Sequence, residues 1–333
     1  MRQRSGLALL ALAVLGLSSA TLLFAQDELR LPSRFEENRF FIAPVTVSDD
    51  TLLFYTDTGG GLFIYEDVVE RLDLPVDTMK TGDNAVRVAH LPEFRPDAAI
   101  PPPGGPFGGR LPVLAVDERR AVAASWSGML GQDWFANRVW VFDYPRRELQ
   151  LREPDALLEA ESTHTVDLGF KSDSTGKRSA HFPRIQAVIE GDSLDLLFDT
   201  GAMVILTPSA RETLGGGAEV RGASFIVQQV FDRWRTRHPE WRLIEDADQS
   251  VPGSAMIEVP EILVAGHTVG PVWFTVRPNE NFHDFMSQWM DRRVDGALGG
   301  SALHFFRITV DYPAAKAHFN FPERPPADSP GTW

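Results

Sequence analysis

The chain of 333 residues contains 46 Asp and Glu against 32 Lys and Arg, which gives a formal net charge of -14. Nucleic acids are bound through clustered cations, so this balance argues against a nucleic-acid partner. Hydrophobic residues make up 43% of the chain, enough for a buried core, which excludes wholesale disorder. There is no cysteine, which excludes disulfides, thiol nucleophiles and thiolate metal sites.

The N-terminus has the layout of an export signal. Two arginines within residues 1–4 precede an apolar run over 6–17, and small residues follow at 18–20. If the segment stays uncut, residues 6–25 have about the length of a helix that spans a bilayer. We therefore predict that residues 1–25 are a signal peptide or a membrane anchor, with cleavage favoured by the small residues. The rest of the chain is expected to be exported, either periplasmic or secreted. If residues 1–25 stay uncut, they would anchor it to the inner membrane.

The first half of the chain is predicted to be rich in strands. Apolar and β-branched patterns predict strands at 40–47 and 52–55, a helix at 64–72, and a closing hairpin of strands at 139–142 and 148–151. The second predicted strand delivers the sequence FYTDTGG at residues 54–60.

The second half repeats this plan. It contains LLFDTGA at 196–202, offset by 142 from the first segment, and GALG at 296–299, which matches GMLG at 128–131 with an offset of 168. Each Gly block is followed by Asp-Tyr-Pro, at 143–145 and 311–313. The corresponding predicted elements are strands at 184–189 and 194–198, a helix at 207–214, and a hairpin of strands at 308–310 and 317–321.

The repeat defines the predicted domain organisation, an all-β fold with minor helix in two homologous lobes. The lobes cover residues 38–152 and 166–323, a charged connector covers 153–165, and a tail covers 324–333. The two offsets differ by about 26 residues, and we place this extra length within 222–254 of the second lobe.

Two further segments of the second half read as helices. In the first, Ser224 is predicted to cap a helix with an apolar face formed by Val227, Val230, Phe231 and Trp234. We interpret it as a helix packed on the lobe, and a lid over a cleft is the alternative. In the second, around His283, the aromatic residues Phe282, Phe285 and Trp289 are expected to pack as one face.

The two Asp-Thr-Gly segments carry the candidate chemistry. Each places a carboxylate, Asp57 or Asp199, on a loop directly after a buried strand, where glycine permits a tight turn. Thr58 and Thr200 can hydrogen-bond between the loops. If the lobes pack about a pseudo-twofold axis, the two carboxyl groups meet on it and hold one proton between them over a range of pH. The ionised member can then take a proton from water while the protonated member donates to a carbonyl oxygen.

These motifs resemble those of an aspartic peptidase, in a fused two-lobe form of the retropepsin-like, pepsin-like group. The resemblance covers about residues 38–323 and includes both Asp-Thr-Gly loops, both Gly blocks and both Asp-Tyr-Pro hairpins. It implies an aspartic endopeptidase with Asp57 and Asp199 as the catalytic pair and a Gly block beside each aspartate loop. The residues implied to support this pair are Thr58, Gly59, Gly60, Thr200, Gly201 and Ala202.

The sequence departs from that family after each Asp-Thr-Gly. Gly60 and Ala202 stand where the family usually has Ser or Thr, whose hydroxyl donates to the catalytic carboxylate. Loss of a donor to the charged form raises a carboxyl pKa, so we predict activity that reaches weakly acidic or near-neutral pH. A pH–rate profile that peaks below about pH 3 would contradict this.

No flap with its usual aromatic residue is recognisable. The Gly- and Pro-rich run 101–109, with Phe107, is a candidate cover for the first lobe, and an ordinary surface loop is the alternative. Trp126 and Trp273 are core candidates that can also line a cleft.

Partners and alternatives follow from these features. A peptide or protein substrate and a monomeric state are expected, with no metal and no cofactor, because the eight histidines lack metal-ligand spacing. One alternative is a catalytically silent fold of this type that acts as a peptide-binding or inhibitor module in the cell envelope. Another is a glycosidase, whose paired carboxyl groups would stand about 5 Å or more apart.

Overall fold

The computed structural model describes residues 28–82, 84–116, 125–152 and 164–321. The predicted signal segment, the tail and most of the connector lie outside these residues. The fold is mostly β, with 41% of residues in strands and 16% in helices, as the all-β prediction requires. Within the described ranges, no helix is both long and apolar enough to cross a membrane.

Among its described residues, the first half of the chain contains eleven strands, numbered in chain order. They are β1 (Glu28–Arg30), β2 (Ser33–Glu36), β3 (Arg39–Ile42), β4 (Phe54–Thr56), β5 (Phe63–Tyr65), β6 (Val76–Thr81), β7 (Asn84–Ala89), β8 (Leu111–Leu114), β9 (Gly128–Leu130), β10 (Val139–Asp143) and β11 (Glu148–Arg152). Its helices are α1 (Glu66–Arg71) and α2 (Gln132–Phe135), with a 3₁₀ turn at Pro96–Ala98.

Between residues 164 and 321, the second half contains fourteen strands. They are β12 (Thr165–Asp167), β13 (Arg184–Ile189), β14 (Asp192–Phe198), β15 (Met203–Ile205), β16 (Val220–Gly222), β17 (Ser224–Val227), β18 (Leu243–Ile244), β19 (Met256–Val259), β20 (Ile262–Val264), β21 (His267–Val269), β22 (Val272–Arg277), β23 (Gly296–Leu298), β24 (Arg307–Asp311) and β25 (Lys316–Asn320). Its helices are α3 (Pro208–Thr213), α4 (Gln228–Arg237) and α5 (Gly300–Leu303), with a π-helical turn at Asn281–Phe285 and a 3₁₀ turn at Met286–Trp289.

Each half builds a sheet of its own. The first half forms an eight-stranded sheet in the order β2-β3-β4-β9-β5-β8-β7-β6. The second half forms a nine-stranded sheet in the order β18-β19-β22-β17-β23-β14-β13-β20-β21, and β15 pairs with β16 beside it. In both large sheets, the strand that precedes Asp-Thr-Gly lies parallel to the strand of the Gly block, β4 with β9 and β14 with β23.

A six-stranded sheet joins the two halves. Its order is β1-β11-β10-β24-β25-β12, so the closing hairpin of the first half lies edge to edge with that of the second. At the centre of the antiparallel pair β10–β24, Val141 faces Thr309, which lies 168 positions later and is its counterpart in the repeat. The hairpins predicted from the Asp-Tyr-Pro segments are therefore present, and they connect the halves through main-chain hydrogen bonds.

The helix predicted at 64–72 is wrong at its start. Phe63–Tyr65 forms β5 because these aromatic and β-branched residues pair with β8 and β9 in the sheet. The helix begins only at Glu66, where two acidic residues in the first turn stabilise the helix by interacting with the positive end of its dipole. The helix predicted at 207–214 is confirmed as α3, with Pro208 as its first residue and the Thr207 side chain accepting from the Ala210 amide.

The strand register places most of the extra length of the second half earlier than expected. Ile64 and Ile226 occupy the same place, since each pairs with the first glycine of its Gly block. The preceding aspartate lies 7 residues before Ile64 but 27 residues before Ile226. The additional residues before Ile226 form β15, α3 and β16, so the expected position within 222–254 holds only in part.

The helix predicted after Ser224 begins four residues later, at Gln228. Ser224 lies in β17, and its buried hydroxyl is bonded to the Gly299 amide and to Ser301, so it does not cap the helix. In α4, Val230 and Trp234 are buried, and this supports the interpretation of a helix packed on the sheet.

The aromatic face expected around His283 is only half packed. Phe282 is buried, but Phe285 and Trp289 are 65% and 46% exposed. The change from a π-helical to a 3₁₀ turn rotates these side chains away from the face that an α-helix would bury.

Candidate active site

The two aspartates leave their strands in the same way. The Asp57 amide donates to Leu130 O over 3.1 Å, and the Asp199 amide donates to Leu298 O over 3.0 Å. The two acceptors are the last residues of β9 and β23, the strands of the Gly blocks. These bonds extend the parallel pairing by one residue beyond the strands. The backbone of each aspartate is therefore held by the sheet, and this fixes the point from which its side chain extends.

The two threonines bond the loops to each other. The Thr58 hydroxyl accepts from the Thr200 amide at 3.0 Å and donates to Phe198 O at 2.6 Å. In the other direction, the Thr58 amide donates to Thr200 Oγ1 at 3.3 Å. Both threonines are fully buried, so these bonds form away from water.

The carboxyl groups of Asp57 and Asp199 are hydrogen-bonded to each other. Each also accepts an amide from its own loop, from Gly59 at 2.8 Å and from Gly201 at 3.0 Å. The glycines leave no room between the loops, since a Cβ on Gly59 would lie 2.7 Å from the Asp199 carboxyl carbon and one on Gly201 would lie 2.2 Å from that of Asp57.

Both carboxyl groups have raised pKa values. Burial is the largest cause for each, because it disfavours the charged form. The negative charge of Asp57 raises the pKa of Asp199 further, well above its ordinary value, while hydrogen bonds from Asp199, Gly59 and Gly60 partly offset the rise in the pKa of Asp57. The pair as a whole therefore keeps one proton to higher pH than an isolated carboxyl group would.

The positions after Asp-Thr-Gly differ between the loops. A Cβ at Gly60 would lie 2.5 Å from Asp57 Oδ2, so a larger residue there would displace the carboxylate. Ala202 is accommodated in the second loop and is 3% exposed. Neither position offers a hydroxyl donor to the carboxylates, and this agrees with the raised direction of both pKa values.

Tyr55 supports the pair from the first half. Its hydroxyl donates to Gly201 O at 2.8 Å, and its ring stacks on Trp126 with centroids 4.3 Å apart. Burial raises the pKa of Tyr55 well above its ordinary value, so it stays a neutral donor. Trp126, expected as a core or cleft residue, thus lies behind the loops in the core.

A cavity of about 370 Å³ opens beside Asp199. Its walls come almost entirely from the second half of the chain. Besides Asp199, the lining residues are Gly59, Leu197, Phe225, Arg277, Asn281, Phe282, Phe285 and Met286. The cavity is thus mainly apolar and aromatic, with one cation in its wall.

Phe107 and Trp273 are not among these lining residues. The run 101–109 is held to α2, where Trp134 Nε1 donates to Pro101 O at 2.9 Å. Trp273 is 2% exposed and belongs to a smaller cluster of core residues in the second half.

The histidines form structural contacts around the fold. His283 bonds to Asp295 at 3.0 Å, His181 to Asp133 at 3.1 Å, and none of the eight lines the cavity. Across the described ranges, no group of three or more His, Asp or Glu is arranged to hold a metal ion.

Several site residues were not anticipated from the sequence, namely Tyr55, Phe225, Arg277, Phe282 and Phe285. Tyr55 had a signal in the sequence: in the repeat it aligns with Leu197, so a residue with a hydroxyl stands where the other half has a purely apolar one. Arg277 had another, as a charged residue at the end of the apolar strand VWFTVR. No protein-family model matches the chain, and no curated protein was found to match it significantly.

Proposed function

We propose that this protein is an aspartic endopeptidase with two homologous β-lobes of the retropepsin-like, pepsin-like type. The observation that carries the proposal is the close approach of two equivalent loops, in which the glycine of each loop abuts the carboxyl group of the other loop's aspartate, Asp57 or Asp199. Such contact is what general acid–base chemistry with one shared proton requires.

A pseudo-twofold relation between the halves is supported by three local pairings. Val141 faces its counterpart Thr309 in the joining sheet. Thr58 and Thr200 exchange amide and hydroxyl bonds. Each aspartate amide donates to the Gly block of its own half. An axis that passes between the carboxyl groups accounts for all three.

The proposed reaction is direct attack of water on the peptide carbonyl. In the state with one proton, the ionised aspartate takes a proton from the water, while the protonated aspartate donates its proton to the carbonyl oxygen. The aspartate that received the water proton then gives it to the amide nitrogen, and a hydroxyl of the gem-diol returns a proton to the other aspartate as the C–N bond breaks, so the pair regains its initial charge. Since both pKa values are raised, this state extends toward weakly acidic and near-neutral pH.

The geometry disfavours the glycosidase alternative. Glycosidase carboxyl groups must stand about 5 Å or more apart so that a sugar and water fit between them. Here the two carboxyl groups are in hydrogen-bond contact, and the glycine of each loop abuts the aspartate of the other.

The proposal extends to the setting of the enzyme. The substrate is a peptide or protein, the chain acts as a monomer, and it works outside the cytoplasm after removal of residues 1–25. The basis for export is the charged, apolar and small-residue order of that segment.

Cleavage of a peptide library by the wild type and by Asp57→Asn and Asp199→Asn tests the proposal. Each substitution keeps the shape but removes one proton carrier, so we expect kcat to fall at least about 100-fold. Asp97→Asn, an exposed aspartate in a 3₁₀ turn, is the matched control and should cleave like the wild type.

A statine-type analogue, which mimics the hydrated carbonyl, separates the remaining outcomes. It should inhibit the wild type and bind both aspartate variants more weakly. Unchanged cleavage in both variants would refute the catalytic assignment. Peptide binding without any cleavage by the wild type would instead establish the binding-module alternative.

A further inference from the structure

In the part of the chain that the structure describes, Arg277 is the one cation that lines the otherwise mainly apolar cavity. It is the last residue of β22, is 7% exposed, and lines the cavity beside Asp199. Its Nη2 donates to Asp248 Oδ2 at 2.6 Å, and its Nη1 donates to Val276 O at 3.1 Å and to Ser254 Oγ at 3.3 Å. The guanidinium lies 4.1 Å from the centroid of the Phe225 ring, which also lines the cavity.

These contacts leave part of the guanidinium available. A guanidinium has five N–H donors, and the three bonds to described residues use three of them. The Nε donor and one Nη2 donor remain for an occupant of the cavity. Because the donor group is charged, a hydrogen bond from it to an acceptor in the cavity is stronger than one between two neutral groups.

The surrounding charges define which acceptor fits. Asp248 is fully buried against Arg277 and neutralises it. The aspartate pair beside the cavity carries one negative charge in its active state. An acidic side chain would therefore meet a net negative surrounding, whereas a neutral oxygen acceptor meets none of this repulsion.

The first half of the chain has no such cation at the equivalent place. In the strand register, Tyr65 pairs with Leu114 as Val227 pairs with Arg277. Leu114 is apolar and 45% exposed. Asp248 and Ser254, which hold the arginine, lie in the loop between β18 and β19, whereas the corresponding strands of the first half, β6 and β7, are only two residues apart in sequence.

We propose that Arg277 is a specificity-determining residue, and that its cavity takes a substrate side chain with an apolar body and a neutral hydrogen-bond acceptor at its tip. Tyrosine and glutamine have this chemistry; phenylalanine lacks the acceptor, and glutamate carries a charge. Because only one half supplies the arginine, the preference applies on one side of the cleaved bond. This inference rests on the proposed peptidase function.

The first test uses the wild type alone. A peptide series carries Tyr, Phe, Gln or Glu in turn at each of several positions on both sides of the cleaved bond. A hydrogen bond from a charged donor is worth about 10- to 100-fold, so we expect Tyr over Phe and Gln over Glu by that factor in kcat/KM at one position. Equal cleavage of Tyr and Phe peptides at every position, or a preference for Glu, overturns the inference.

The second test removes the arginine. The double variant Arg277→Met, Asp248→Asn avoids leaving a buried carboxylate unpaired, and its circular dichroism shows whether it is folded. We expect it to lose the Tyr preference, so that Tyr and Phe peptides are cleaved with equal kcat/KM. Arg292→Met, an exposed arginine outside the cavity, is the control and should keep it.

The outcomes are distinct from those for the enzyme itself. Cleavage with a Tyr preference that survives in the double variant overturns the role of Arg277 only. A double variant that fails to fold leaves the decision to the wild-type series, which settles the acceptor preference without it. Absence of any cleavage by the wild type overturns both the proposed function and this inference.

Discussion

The contact between the loops can be opened by a single methyl group. In Gly201→Ala, the new Cβ would lie 2.2 Å from the carboxyl carbon of Asp57. Ordinary contacts between carbon atoms begin at about 3.4 Å, so the loops must move apart by roughly 1.2 Å. The Gly201 backbone does not adopt a positive φ, so the conformation itself tolerates alanine and the clash is the only perturbation.

Two effects should follow from this displacement. Overpacking of a closed contact costs about 1–3 kcal/mol of unfolding free energy. A misplacement of about 1 Å at a catalytic group costs about 100-fold in rate. Separation also weakens the hydrogen bond and the charge interaction that raise the pKa of Asp199, so the alkaline limit of activity should move to lower pH.

Gly61→Ala is the matched control, because a Cβ there would meet no atom within 4 Å and the residue also has no positive φ. Thermal unfolding and peptide cleavage across pH would be measured for both variants. We expect Gly61→Ala to match the wild type in both. If Gly201→Ala unfolds at the wild-type temperature and cleaves at the wild-type rate, the two loops do not approach each other this closely.

Three further substitutions test the supports of the site. Tyr55→Phe removes the hydroxyl that donates to Gly201 O, and the unpaired buried carbonyl should lower the unfolding free energy by about 1–2 kcal/mol in denaturant titration. Thr58→Val keeps the shape but leaves Phe198 O without its donor, so a loss of about 1–3 kcal/mol is expected, and an unchanged midpoint would exclude a bracing role. Asp199→Asn should stabilise the protein at high pH, because the pKa of Asp199 is higher in the folded state than its unfolded value of about 4. The wild type therefore loses unfolding free energy as pH rises from about 4 to the folded pKa, at about 1.4 kcal/mol for each pH unit between the two pKa values. The melting temperatures of variant and wild type should converge toward about pH 4, and a gap that narrows as pH rises would contradict the sign.

The aspartate pair was predictable because its signal is local and occurs twice. Asp-Thr-Gly after an apolar strand fixes a carboxylate on a tight loop, and the repetition indicates that two such loops are used together. The closing hairpins were predictable for the same reason, since Asp-Tyr-Pro follows an apolar strand in both halves. These features depend on short stretches of chain that adopt the same structure wherever the lobe places them.

The walls of the cavity were not predictable in this way. Phe225 and Arg277 are adjacent only because β17 and β22, about 50 residues apart, lie side by side in the sheet. The helix predicted at 64–72 was wrong only at its start, for a related reason: the apolar residues there also fit a strand that pairs with two neighbours. Pairing between distant strands depends on the whole sheet, so it cannot be predicted from any short stretch of the sequence.

The structure separates what the two halves must share from what they can vary. Sharing one proton requires two equivalent carboxyl groups in contact, and the loops, threonines and Gly blocks that position them are alike in both halves. The peptide substrate that we propose has a direction, so the surfaces on the two sides of the pair would meet different chemistry. The divergence is found there: Leu114 stands exposed in one half, and Arg277 is buried and held by Asp248 in the other.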